Sequence, residues 1–308
     1  SPEGRVVKNG SNYEYQYAIA DHQGNTRVLF TSATQAPVSI TATFEQNSSD
    51  DMDKFTNVNT SNTYLTTSTA GNHTTGGSKI IRMNQNYPVG PSKSLKVYPG
   101  DKVDMEVWTY YEQNTGFGTS SSGSTAMITA IAAAFGGVSG AGGESGGIFS
   151  GVNSAIGGFG LGGNPGDTAP AAYLNYILFD QGYKVITMGW TRVPSSAYFS
   201  KQQISISQVS VKEAGYIFVY LSYEDQSNNY VQFDDFKITH TKSNLIQANE
   251  YYPFGLQTAN SWTRENTTGN QFLGNGGTEL NSTSSLYDLA FRNYDPILGR
   301  MNGIDPMA

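Results

Sequence analysis

Hydrophobic and polar positions alternate along most of this chain. In Tyr13-Glu14-Tyr15-Gln16-Tyr17-Ala18 the tyrosines fall on every second residue, which predicts a strand with one tyrosine-lined face. His22-Gln23-Gly24-Asn25 is a turn, and Thr26-Arg27-Val28-Leu29-Phe30 returns, so residues 13–30 predict a hairpin. Short runs of the same kind follow at Ser39–Phe44, Lys79–Met83, Ser94–Val97 and Lys102–Tyr110. In the last run Val103, Met105 and Val107 share a parity, while Lys102, Asp104 and Glu106 take the other; this predicts one buried and one wet face. After a long interruption the strand pattern resumes at Ala172–Phe179, Gln203–Ser207, Gly215–Leu221 and Tyr230–Ile238. Many short strands separated by turns predict an all-β fold, an antiparallel β-sandwich of the jelly-roll kind. Beyond Thr241 the apolar runs shorten and turn residues break them repeatedly, which predicts strand-turn units of a different module.

The interruption, about 115–170, carries roughly half of the chain's 35 glycines, mixed with Ser and Ala. A long flexible insertion between sandwich strands is expected there, with a short helix near Ala126–Phe135 at most; a binding loop is the alternative. No Gly-Lys-Ser/Thr ending makes it a phosphate loop. A net charge of -7 with 18 Lys+Arg leaves no basic footprint for nucleic acid or anionic lipid. No apolar run is long enough to span a membrane. With 0 Cys, disulfides, cysteine nucleophiles and thiolate zinc are excluded. The 20 Tyr and the Thr, Ser, Asn and Gly that dominate the polar residues fit an exported β protein. The start at Ser1-Pro2-Glu3-Gly4 is expected of a piece of something longer.

Two motif groups resemble the Rhs/YD-repeat family. One is Tyr17-Ala18-Ile19-Ala20-Asp21-His22-Gln23-Gly24-Asn25-Thr26-Arg27, where Gln23 stands for the usual Leu. The other comprises Glu250-Tyr251-Tyr252-Pro253-Phe254-Gly255, then Arg292-Asn293-Tyr294-Asp295-Pro296, Gly299-Arg300 and Asp305-Pro306. Phe272–Leu280 departs from the family pattern. The resemblance covers about 80 residues at the two ends. It implies a YD-repeat hairpin segment at 1–40, an inserted sandwich at 41–242 that also resembles carbohydrate-binding jelly rolls, and an Rhs-associated core segment at 243–308. It further implies an exported bacterial shell protein that encloses or presents a C-terminal effector, at or outside the cell surface. The alternatives are a cell-surface adhesin or glycan-binding module, and a cargo protein engaged by an outer-membrane secretion machine. The partners implied are the rest of the shell and the effector, export machinery, and glycan.

The chemistry is sparse. Glu45 on the first sandwich strand and Asp234 and Asp235 on the last are expected to converge on a structural calcium, because hard oxygen ligands suit that ion; ordinary polar strand ends are the alternative. Asp50, Asp51 and Asp53 are expected to be a solvated turn. His22, His73 and His240 have no zinc-ligand spacing. Trp108, Trp190, Trp262, Tyr110 and Tyr111 are aromatic candidates for sugar stacking; Trp108 and Tyr110 share a parity that allows them to pack inward instead. The resemblance marks Arg292 and Asp305 as a self-cleavage pair, with Asp as proton-transfer group and Arg as its electrostatic support. The alternative is that both only knit the sheet.

Overall fold

The computed structural model describes residues 4–9, 12–45, 54–58, 64–113, 115–117, 168–225, 227 and 229–305. Nearly all of the expected glycine-rich insertion, its short helix, and the Asp50-Asp51-Asp53 turn lie outside these residues. The chain divides into two compact units. One comprises residues 1–36, 98–100 and 242–308; the other comprises 37–97 and 101–241. No described helix is long and apolar enough to cross a membrane.

The larger unit is an antiparallel β-sandwich. One sheet has the order β10 (Val185–Arg192), β9 (Ala172–Asp180), β12 (Gly215–Tyr223), β7 (Val89–Val97). The other has the order β11 (Gln202–Ser210), β8 (Lys102–Tyr110), β13 (Val231–Thr241), β6 (Lys79–Met83), β5 (Tyr64–Thr67), with β4 (Val38–Ala42) also on β13. From β7 onward the chain passes repeatedly between the sheets, the wrapping of a jelly roll. Period-two burial makes the core: Val103, Met105 and Val107 of β8 meet Leu174, Leu178, Ile217, Val219 and Leu221 of the facing sheet. Trp108 and Tyr110 have the opposite parity. They lie on the outer face, against the inward orientation their shared parity allowed, because Thr109 and Tyr111, 1% and 0% exposed, take the inner positions.

Bulges interrupt this period, two of them on β8's neighbours β13 and β11. Phe233-Asp234-Asp235-Phe236 cannot alternate, yet both Phe side chains reach the core. The β13–β8 register slips between Asp234 and Lys237, and Asp235 adopts φ 46°, which lets two consecutive carboxylates leave the core side together. On β11 the slip lies between Ile206 and Val209, with Gln208 at φ 54°, and it returns Val209 to the interior. Gln208 donates its N–H to the Asp104 carboxylate at 2.8 Å.

The smaller unit contains a five-stranded sheet, β1 (Gly4–Asn9), β2 (Asn12–Ala20), β3 (Thr26–Thr31), β14 (Leu245–Ala248), β15 (Trp262–Thr263), so strands from both chain ends hydrogen-bond directly. A five-stranded meander, β16 (Phe272–Gly274), β17 (Thr278–Leu280), β18 (Tyr287–Asp288), β19 (Asn293–Asp295), β20 (Arg300–Asn302), follows. The β2–β3 turn explains its own sequence. Asp21 Oδ1 accepts the N–H groups of Gln23 and Asn25, and Oδ2 accepts Asn25 Nδ2 and Arg27 Nε. Gly24 sits at φ 81°, and a side chain there would meet Gly276 N at 2.6 Å, so only glycine fits both the turn and its neighbour. Asn25 Oδ1 accepts Asn275 N–H, tying the turn to the β16–β17 loop. Asp295 likewise accepts the N–H groups of Ile297 and Leu298, and Gly299 closes that turn at φ 68°.

Candidate functional site

The outer face of the β11-β8-β13 sheet gathers the sandwich unit's most distinctive polar and aromatic side chains. Trp108 lies between Gln203 on β11 and Asp234 on β13 in the strand register. The His73 ring stacks on the indole at 3.9 Å and 9°. His73 Nδ1 is 2.6 Å from Asp235 Oδ2, and Thr74 Oγ1 donates to Asp235 Oδ1 at 2.8 Å. The loop carrying His73 is itself held by Glu45, which lies three residues past the end of β4 rather than on the strand, and by Asp234 on β13. Asp234, 0% exposed, accepts the backbone N–H groups of His73 and Thr74 through Oδ2. Burial pushes its carboxyl up, against the lowering effect of those N–H groups, to about 6. Glu45 accepts the N–H groups of Ser78 and Lys79 and the Asn72 side-chain amide.

The structure thus ties Glu45 and Asp234 to the same loop, Asn72–Lys79, while Asp235 anchors that loop's His73 and Thr74. Each of these carboxylates is met by N–H or O–H donors, and the Lys201 ammonium donates to the Asn72 carbonyl. Calcium binds through free oxygen lone pairs, so this donor set does not fit the ion as it stands. Among the described residues no three His, Asp or Glu side chains gather as metal ligands. The arrangement is a clamp on a loop.

Beyond Trp108 the same face continues with Tyr110, two residues along β8 and so about 7 Å away. Tyr110 is buried and meets the edge of Phe199 at 6.4 Å and 87°. Burial raises the Tyr110 hydroxyl above its ordinary value, with the Glu112 carboxylate adding to the effect. Phe199 is 61% exposed and has φ 51°. Its N–H donates to Tyr111 O at 2.9 Å, and Tyr111 N–H donates to Ala197 O at 3.1 Å, which fixes the loop beside β8. A left-handed backbone at a bulky residue costs about 1–3 kcal/mol. Phe44 also has φ 60° but is 1% exposed, so burial offsets its strain. Phe199 has far less such offset. The sequence had no signal for Phe199: an aromatic in a turn-rich stretch is ordinary until its backbone angle is known.

The remaining aromatic candidates disperse. Tyr111 is core, and Trp190 is 41% exposed on the edge strand β10. Trp262 belongs to the smaller unit, where its ring lies 4.9 Å from Tyr98. In that unit Arg292 and Asp305 are brought together, Nη2 to Oδ2, at 3.0 Å, with side chains 30% and 41% exposed. His240 Nε2 pairs with buried Asp101 Oδ2 at 2.8 Å, a structural contact.

No protein-family model matches the chain, and no curated protein does. The Rhs/YD-repeat resemblance of the two ends therefore rests on the quoted motifs alone. Solved structures with similar folds include the N-terminal CBM22-1-CBM22-2 tandem domain of Paenibacillus barcinonensis Xyn10C, at TM-score 0.36 and 11% identity, covering 72% of this chain and 50% of that one. The CBM22-1 xylan-binding domain of the same protein gives TM-score 0.33 and 10% identity over 68% of this chain and 99% of that one. TmCBM61, solved with β-1,4-galactotriose, gives 0.30 and 10% over 58% and 83%. Likeness at this level assigns no function.

Proposed function

We propose that residues 37–241 are a carbohydrate-binding module of an exported or cell-surface protein, with Phe199 as its principal stacking platform. The observation that carries this is the strained backbone of a solvent-exposed Phe199: strain held at an exposed aromatic is expected where the ring has work to do outside the protein. Its surroundings suit a sugar. Tyr110 packs against the ring, and the exposed Gln203 and Lys201 offer hydrogen-bond donors to hydroxyls. The test is affinity electrophoresis of the full chain in gels containing xylan or β-1,4-galactan, backed by a glycan array. Wild type is expected to be retarded by at least one polysaccharide, and Phe199→Ala to lose about tenfold in affinity with its melt unchanged. Wild-type migration that no glycan alters defeats the reading.

A second reading, a segment of an Rhs-type shell presenting a C-terminal effector, is favoured by the smaller unit. Val6, Tyr13, Tyr15, Tyr17 and Ile19 are 54%, 70%, 57%, 43% and 54% exposed. Register places Val6 against Tyr15 and Gly4 against Tyr17, making one contiguous tyrosine-rich face, and such a face marks a surface that meets another. On that reading the Arg292–Asp305 pair is the self-cleavage site of the longer protein. Asp305→Asn would then leave a full-length product on a denaturing gel where wild type is cut. An uncut wild type reduces the pair to a sheet-end ion pair.

A further inference from the structure

The smaller unit contains an open cleft-like cavity of about 850 Å³, within the size range of small-molecule sites. It is bounded by the β2–β3 turn, the Tyr251–Gly255 segment and the meander. In a chain of net charge -7, no Asp or Glu among the described residues lines it; its basic side chains are Arg27 and His22. Arg27 is fixed in place: Nε donates to Asp21 Oδ2 at 3.0 Å, and the guanidinium carbon lies 5.0 Å from the Tyr251 ring centre. Its two terminal nitrogens make no hydrogen bond to any described residue. His22, exposed at the cavity rim, also makes none.

The tyrosines are arranged the opposite way. Tyr251 donates its hydroxyl to Thr26 O at 2.7 Å, Tyr287 to Gly255 O at 2.9 Å, and Tyr294 to Phe254 O at 3.1 Å. With their hydroxyls engaged by carbonyls, they contribute ring surface to the cavity. The cavity thus combines aromatic walls with a pre-oriented, unspent guanidinium fork.

We propose that this cavity binds a carboxylate carried on a ring, an acidic sugar or an aryl acid. The carboxylate takes a bidentate hydrogen bond from the Arg27 terminal nitrogens, the geometry a planar guanidinium matches. The ring lies against the tyrosine walls, and His22 adds a donor from the rim. Asp21 positions Arg27 by holding Nε, which turns the terminal nitrogens away from the turn.

The experiment uses the full chain, titrated with galacturonate and benzoate beside the neutral controls galactose and benzyl alcohol. Affinity is read by calorimetry, and the location by ring-proton shifts of Tyr251 and Tyr287. At least one acid is expected to bind tenfold or more tighter than its neutral control. A response to galacturonate alone identifies the sugar acid, and one to benzoate alone the aryl acid. Arg27→Gln should lose that preference and Arg27→Lys should recover little of it, because a point charge lacks the fork. Arg27 also braces its turn, so His22→Ala is the folding-neutral variant, because it removes the donor at an exposed position: its melt should match wild type while acid affinity falls several-fold. The proposal is overturned if neither acid binds, if neutral controls bind equally, or if binding leaves the tyrosine rings unshifted. Polysaccharide binding at Phe199 is unaffected by Arg27→Gln, so the two assignments fail separately.

Discussion

Glu224 and Asp21 are carboxylates with opposite relations to the fold. Burial pushes the Glu224 carboxyl up to about 7, only partly countered by the hydroxyl donated from Ser222. Its folded value stands above its unfolded one, so the folded state holds the extra proton. The stability this contributes is complete below about pH 4 and is lost as pH rises through 7. Asp234, raised to about 6 mainly by burial, acts in the same direction. Glu224→Gln keeps an acceptor for Ser222 and cannot ionise. It is therefore expected to raise the melting temperature by a few degrees at pH 8 and to change little at pH 4; a pH-independent difference contradicts the assignment. At Asp21 burial pushes upward too, but the N–H groups of Asn25 and Gln23 and the Arg27 guanidinium outweigh it and hold the carboxyl at about 2. That stability is present above the ordinary carboxylate range and disappears as pH falls through 2. Asp21→Asn should consequently destabilise at pH 7 and much less at pH 2, measured by urea midpoints.

At the scale of elements, alternation made most of the sandwich legible and failed where the backbone leaves its period. Val103, Met105 and Val107 show a clean period and are buried. The Asp234–Asp235 bulge instead needs a positive φ at a non-glycine residue, which no local pattern announces; what the sequence did show was two adjacent Asp between two Phe, an arrangement a regular strand cannot bury. The same residues were legible as chemistry only in part. Their place on the last strand is visible, but the donors that reach them come from His73, Thr74, Ser78 and Lys79, far away in the chain. The loop clamp makes a definite prediction. Because N–H and O–H groups already occupy these carboxylates, excess chelator should leave the melting temperature unchanged, and added calcium should not raise it. A chelator-induced drop reversed by calcium would show that the loop opens to a cation, by mass action on the folded state. Glu45→Ala, in contrast, is expected to destabilise by about 1–3 kcal/mol, since it strands the Ser78 and Lys79 N–H groups and leaves the Asn72 amide only its bond to Lys79 O.

At the scale of the molecule, strands from the two ends of the sequence share one sheet, while the strands β4 to β13 between them build a separate sandwich. Local pattern shows a change of texture near Thr241 but not that β14 pairs β3, a contact across more than 200 residues that no local period encodes. The sandwich closes its own interior. Its core spans β4, β6, β8, β11 and β13 on one side and β7, β9 and β12 on the other, and includes fully buried Tyr111, Phe233 and Phe236. A unit with its own closed core is expected to fold alone. Among the described residues the smaller unit has fewer buried hydrophobic side chains: Leu29 at 1%, Tyr98, Ile246 and Leu273 at 3%, Tyr287 at 4%. Its order rests more on polar turns and on engaged tyrosine hydroxyls. Excised residues 37–241 should therefore give one cooperative melt and a β-type far-ultraviolet spectrum, whereas 1–36 joined by a short linker to 242–308 should melt lower and less cooperatively. In the intact chain the two behaviours should appear as separable transitions, with Arg27→Gln moving only the lower and Phe233→Ala, a cavity of about 3–5 kcal/mol in the sandwich core, moving only the upper. A single transition shifted equally by both substitutions would show that the units unfold as one cooperative body.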